Sequence, residues 1–304
     1  MIQATNLTKK FGDFTALNSL NCKIADGCIY GMVGSNGAGK STLLRLISGI
    51  YKADGGELTV DGSPVFDNPA TKKRMILVPD ELYFLPRADL NRMAKLYASV
   101  YEGFSYDKFK SLVSAFKLDP AANIGTFSKG MRRQASTILA LSCNADYLLF
   151  DETFDGLDPV MRNLVKNLIY NDVCERNVTA VITSHSLREL EDTCDQLSLL
   201  HKGGIIFESD IGNLKTSLFK VQVAFGEEYD RAKFAGVDIL SFTKHGSVAS
   251  LIVRGDRDET EARIRAMQPL LFEILPLSLE EVFVYEMDAL GYEFSDVLKQ
   301  EVDE

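Results

Sequence analysis

The sequence predicts an α/β fold built round a parallel sheet and a phosphate-holding loop, followed by a smaller α+β domain. Three observations carry that prediction. GSNGAGKST, residues 34 to 42, comes directly after the apolar run Ile29-Tyr30-Gly31-Met32-Val33, and its Gly34, Gly39, Lys40 and Ser41 have the spacing of a strand-loop-helix turn that wraps phosphate. From residue 147 onward strand-like and helix-like segments alternate, the pattern of parallel strands joined by crossover helices. Near residue 215 the period changes to two: Phe219, Val221, Val223 and Phe225 alternate with Lys220, Gln222 and Ala224, as in a half-buried strand.

Element by element, CKIA, CIYGMV, GELTVDG and RMILVPD read as short strands, with Asp-Gly turns at 26–27 and 61–62. Ser41 to Ile50 reads as the helix opened by the loop. ADLNRMAKLYASVY, YDKFKSLVSAFKL and KGMRRQASTILALS carry apolar residues at helical spacing and predict a helical insertion over about 82–140. Strand follows at Tyr147–Phe150, helix at about 159–175, strand at Thr179–Ile182 and helix from Ser186 to Cys194. The region 216–304 continues with strands at Ala249–Val253 and Leu270–Leu275 and a helix at about 257–268. A last helix opens on a capping box, Ser278 with Glu281, and the acidic tail DVLKQEVDE is expected to fray.

Composition narrows the classes. A chain of 304 residues with 46% hydrophobic residues can bury the core of one large and one small domain. A formal charge of -10, from 33 basic and 43 acidic residues, argues against a sequence-independent grip on nucleic acid, although a local basic patch stays open. MIQATNLTKKFGDF is too polar for a secretory signal, and no apolar run reaches the length of a bilayer span. A membrane role is therefore expected to come through a partner. Five cysteines without a C-x-x-C pair suit a reducing cytosol, as small core hydrophobes.

The loop residues Gly34, Ser35, Asn36, Gly37, Ala38 and Gly39 would turn backbone N–H groups and the following helix N-terminus toward phosphates, where side chains would block the approach. Lys40 would reach the β and γ phosphates of ATP, Ser41 would ligate Mg2+ and Thr42 would add a phosphate contact. In YLLFDE, residues 147–152, an apolar strand ends in two carboxylates. Successive strand side chains face opposite ways, so Asp151 would hold magnesium through its water shell while Glu152 acts as general base on a water. These elements alone describe a phosphate-loop ATPase of unspecified kind.

Three further segments narrow it: Phe127-Ser128-Lys129-Gly130-Met131 opening a helix, Gly156-Leu157-Asp158 after the carboxylates, and Ser184-His185 at a strand end. Taken with the loop, their order and spacing over residues 1–215 resemble the ATP-binding subunits of ABC transporters. The resemblance implies a P-loop core with an N-terminal antiparallel β subdomain and the helical insertion. It implies that Ser128, Lys129, Gly130 and Met131 form a signature segment acting on ATP held by a second subunit, in a head-to-tail dimer. Asp158 would line that interface, His185 would contact the γ-phosphate and position the water, and Phe11 would stack on adenine. Two positions depart from the family's habit. Asp80 stands in Val78-Pro79-Asp80 where a glutamine is usual; it could ligate magnesium, but adds negative charge beside a triphosphate. Thr153-Phe154-Asp155 follows the carboxylates where a proline is common, which alters a loop but no reacting group.

Within the family, the FSKGM signature and LSLEEVFVYEM near the C-terminus look like ATPase subunits of ABC-2 type exporters, of the bacitracin-resistance and drug-export kind. The implied partners are a separate integral-membrane permease and a second ATP-binding subunit, identical or paralogous. The implied place is the cytoplasmic face of the membrane, with a drug, peptide, lipid or ion as cargo and no nucleic acid expected. Two competing readings are a soluble family member acting on nucleic acid or the ribosome, and a silent ATP-dependent regulator. A single ATPase unit without a long coiled-coil insertion speaks against the first, and Glu152 with His185 against the second.

Overall fold

The computed structural model describes residues 1–212, 218–289 and 291; the expected frayed tail lies outside them. The chain divides into two units, Met1–Glu208 and Ser209–Glu304, a little before the change of periodicity near residue 215.

The first unit holds two sheets. β1 (Ile2–Phe11) and β2 (Phe14–Ile24) form a hairpin turned by Gly12-Asp13. β3 (Ile29–Val33) then leads into α1 (Lys40–Ile47), and β4 (Gly55–Val60) and β5 (Ser63–Pro64) complete an antiparallel sheet of order β2-β1-β4-β5. β1 was not legible in the sequence for a physical reason. It buries Ile2, Ala4 and Leu7, but register shifts between Ala4 and Leu7 break the alternation that would mark it as a strand.

After the short helix α2 (Pro69–Lys72), the chain forms β6 (Met75–Val78) and the insertion: α3 (Leu90–Val100), α4 (Tyr106–Ala115) and α5 (Lys129–Ser142). Each of these three helices starts where a side-chain oxygen takes a free backbone N–H of the first turn: Asp89 from Arg92, Ser105 from Lys108, Ser128 from Met131. β7 (Tyr147–Asp151), α6 (Pro159–Arg176), β8 (Thr179–Ser184), α7 (Leu187–Glu191), β9 (Gln196–His201) and β10 (Gly204–Asp210) follow. α7 is shorter than the helix to Cys194 expected from periodicity, and β9 and β10 were not anticipated.

The second sheet has the order β10-β9-β3-β8-β7-β6, and from β9 to β6 its strands are parallel. β3, β7 and β8 are buried along their whole length, which explains why they read as unbroken apolar runs instead of alternating ones. Tyr30, Met32, Leu43, Leu44, Leu149 and Val181 belong to the core packed against β3 and α1.

The second unit is an antiparallel sheet of order β12-β13-β11-β14, made of β11 (Leu218–Ala224), β12 (Ile239–His245), β13 (Val248–Arg254) and β14 (Leu271–Leu275). α8 (Arg257–Arg265) and α9 (Leu279–Ala289) accompany it. Val221, Val223, Leu251, Val253 and Ile264 lie in its core. Ser278 and Glu281 exchange the reciprocal bonds of a capping box at the start of α9. Among the described residues no helix is long and apolar enough to cross a membrane.

Candidate functional site

Adjacent strands of the parallel sheet end level with one another. Val33 pairs with Ser184, Asp151 with Thr183, and Val78 with Phe150. The residues that follow or close these strands therefore emerge along one edge: the phosphate loop from β3, His185 from β8, Asp151 and Glu152 from β7, Asp80 from β6. Ligands of open α/β sheets bind at this carboxyl edge. A cleft of about 220 Å3 opens there, lined by Phe11, Phe14, the loop from Ser35 to Thr42, Asp80 and Glu152.

The loop is built for close approach. Gly39 has φ of 110°, a conformation that L side chains avoid, and a Cβ on it would meet the Ala16 carbonyl at 2.8 Å. Lys40, the first residue of α1, is only 5% exposed. Its ammonium donates to the carbonyls of Gly34 at 2.6 Å and Ser35 at 3.3 Å, and lies 3.4 Å from Glu152 Oε1. A buried cation held this way is paired and still faces the cleft.

Ser41 Oγ donates to Asp151 Oδ1 at 3.0 Å, and the buried Thr183 hydroxyl donates to the same oxygen at 2.7 Å. Thr183 also accepts the backbone N–H of Glu152 at 3.1 Å, so one hydroxyl from β8 orients the Asp151 carboxylate and fixes the backbone of Glu152. Glu152 has φ of 48°, uncommon for a residue other than glycine. Its side chain, 14% exposed, sets Oε2 at 3.0 Å from His185 Nδ1. A single carboxylate thus bridges the loop lysine and the strand-end histidine.

The oxygen donors of Ser41 and Asp151 suit magnesium, which is commonly held by one or two carboxylates together with substrate phosphates. Among the described residues no three His, Cys, Asp or Glu side chains converge into a metal cage.

Other expected residues lie apart from this cluster. Ser128 caps α5, and Lys129 bonds Asp155 at 2.6 Å, which holds the Asp155 carboxyl below the usual carboxylate range against the opposing effect of burial. Gly130 packs so closely that a Cβ would lie 2.8 Å from the carbonyl of Gly156. Met131 is half-buried. The signature segment is thereby fastened to the loop after Glu152, while Ser128 and Lys129 stay exposed. Asp158 caps α6, accepting from the N–H groups of Val160 and Met161, both at 3.0 Å.

Asp80 reaches the cleft wall, but its Oδ1 is bonded at 2.7 Å by Arg133, a residue of α5. Phe11 rests edge-on against Tyr51, with ring centroids 5.4 Å apart. Directly across the hairpin turn from it stands Phe14, 61% exposed and lining the same cleft.

Sequence reasoning missed Thr183, Arg133, Phe14 and Glu189. Glu189 accepts from the buried Ser184 hydroxyl at 2.6 Å and pairs with Arg162 of α6 at 3.3 Å, bracing the turn that carries His185. The Phe11–Phe14 pair had a signal, two aromatics flanking Gly-Asp. The other three depend on contacts between distant segments.

Residues 17–155 match the ABC transporter family. Over 93% of its length the chain is 28% identical to the ABC transporter ATP-binding protein YtrB of Bacillus subtilis, covering 97% of that protein. It is 30% identical to the bacitracin transport ATP-binding protein BcrA of Bacillus licheniformis, over 71% of each chain. The fold resembles a dimeric bacterial ABC transporter cassette with a TM-score of 0.63 at 22% identity, covering 69% of this chain and 99% of that one.

Proposed function

The chain belongs to the ABC transporter family of ATP-binding proteins, and from that premise we propose that it is the ATP-hydrolysing subunit of an exporter whose membrane-spanning permease is a separate chain. The observation that carries the chemistry is the Glu152 carboxylate set between Lys40 and His185. In this reading ATP lies in the cleft with its base against Phe11 and Phe14 and its phosphates along the loop from Ser35 to Thr42. Lys40 leaves its carbonyl partners to neutralise charge on the β and γ phosphates. Glu152 accepts the proton of a water aligned for in-line attack on the γ-phosphate, and His185 holds that water and the γ-phosphate in register. Ser41 and Asp151 would hold a magnesium ion, which when bound supplies further neutralisation of phosphate charge.

The site is completed by a second subunit. Ser128, Lys129, Gly130 and Met131 would face ATP bound to that partner, and Asp158 would line the interface between the two; the exposure of Ser128 and Lys129 supports this reading. Closure of the dimer on ATP, and its reopening after hydrolysis, would drive the permease and hold the subunit at the inner face of the membrane. Relatives are named for bacitracin transport, daunorubicin/doxorubicin resistance and Nod factor export, so the cargo of this reading is a drug, peptide, lipid or ion.

Removing the general base while keeping its shape tests the model. Glu152→Gln should slow hydrolysis by about 10² to 10⁴-fold and accumulate an ATP-bound dimer visible by size-exclusion chromatography. A variant that remains monomeric at saturating ATP and magnesium sinks the shared-site reading.

A further inference from the structure

We infer that Asp80 is a positioning residue for the signature helix, acting through Arg133, and not a ligand of magnesium. This rests on the reading that the cleft holds ATP. Arg133 is the bulkiest fully buried side chain in the described residues, 1% exposed. One guanidinium nitrogen donates at 3.1 Å to the carbonyls of both Pro79 and Asp80, and another bonds Asp80 Oδ1 at 2.7 Å. The Nε has no hydrogen-bond partner. The guanidinium thus grips the end of β6 at three oxygens, of which only Asp80 Oδ1 carries charge.

A buried cation with one partly exposed carboxylate and two carbonyls depends on the carboxylate. Removing one member of such a pair leaves an uncompensated charge, which is the destabilising case for buried ion pairs. Arg133 lies little more than a helical turn after Ser128 on α5, so whatever fixes Arg133 also fixes where the signature segment starts. Asp80 meanwhile stands in the wall of the cleft with Lys40, Ser41 and Glu152. The pair therefore joins the nucleotide side of the cleft to the helix that addresses the partner subunit. It also resolves the charge problem that an aspartate raises beside a triphosphate: Arg133 neutralises it. With its charge offset by the Arg133 guanidinium at 2.7 Å, the Asp80 carboxylate offers little net charge to draw a divalent cation.

The full-length chain tests this with two readouts besides turnover. Amide hydrogen exchange in the first turns of α5 is measured without nucleotide. Binding of a fluorescent ATP analogue is then titrated with magnesium. In Asp80→Ala, exchange in α5 should rise at least fivefold, whereas the magnesium concentration for half-maximal binding should stay within twofold of the parent. Asp80→Asn, which keeps an acceptor oxygen without the charge, should fall between parent and Asp80→Ala in exchange. Unchanged exchange in Asp80→Ala, or a tenfold or greater rise in its magnesium requirement, overturns the inference. Asp80 is the informative member because its side chain is 56% exposed and its removal opens no core cavity, whereas removal of buried Arg133 would. If the parent bound no ATP analogue, the functional reading would fall, and the exchange arm would still decide the Asp80–Arg133 link.

Discussion

The phosphate loop and the signature segment are both glycine-containing turns into helices, yet the structure treats them oppositely. In the loop Lys40 is buried, held by two carbonyls and facing the Glu152 carboxylate, and Ser41 beside it bonds Asp151. The signature opens α5 with Ser128 and Lys129 exposed; its side chains bond Met131 N–H and Asp155, and Gly130 packs against the Gly156 carbonyl. One turn is complete within the chain. The other is tied to the loop after Glu152 and presents Ser128 and Lys129 to solvent. That difference suits the proposed reading, in which the signature segment meets ATP held by a second subunit.

Breaking the complete half should have the largest effect. Lys40→Ala removes the buried cation that faces the phosphates, and ATP affinity measured by equilibrium binding should fall about 100-fold, the order of a lost charge-assisted bond. Hydrolysis should fall with it. The next effect separates the halves. Ser128→Arg should abolish the ATP-dependent dimer in size-exclusion chromatography while monomer affinity changes by no more than about twofold, as for a surface substitution remote from the loop. Equal loss of monomer binding would mean that the signature serves its own cleft.

A smaller change belongs to the base platform. Phe14→Ala should weaken ATP by about threefold to tenfold, the range of an aromatic contact, and weaken inorganic triphosphate far less. The smallest concerns the mounting itself. The pair of Lys129 and Asp155 is solvent-exposed, so Lys129→Ala should cost under about 1 kcal/mol in denaturant unfolding near neutral pH. The Asp155 carboxyl is held below its ordinary value by Lys129. The contribution is therefore present above about pH 4, where a free aspartate is ionised, and is lost as pH falls through the lowered value. The parent and Lys129→Ala should converge in stability in acid; a gap that persists there assigns the role to packing of the lysine stem.

Much of the first unit was legible because its signals are local. An apolar run followed by Gly34 to Thr42 requires a strand, a turn and a helix in that order, and β7 and β8 declare themselves by uninterrupted apolar residues with polar exits. β1 was hidden by its bulges, and β12 by a mixed run, Ile239 to His245, with no clear alternation. Of the site, Lys40, Ser41, Asp151 and Glu152 stand out by spacing. Thr183, Glu189 and Arg133 do not, because a hydroxyl, a carboxylate or a guanidinium on a buried face carries no periodic mark of what it meets.

The sequence by itself determined the chemistry on offer: a loop whose backbone accepts phosphate, a carboxylate pair at a strand end, and a histidine after another strand. It could do so because each of these depends on a few consecutive residues. Only the tertiary structure decided how they combine. Strand register placed Glu152 between Lys40 and His185, and packing of the helical insertion brought Arg133 to Asp80. The charge that made Asp80 look misplaced in the sequence is balanced by a residue more than fifty positions away, a contact that folding alone creates.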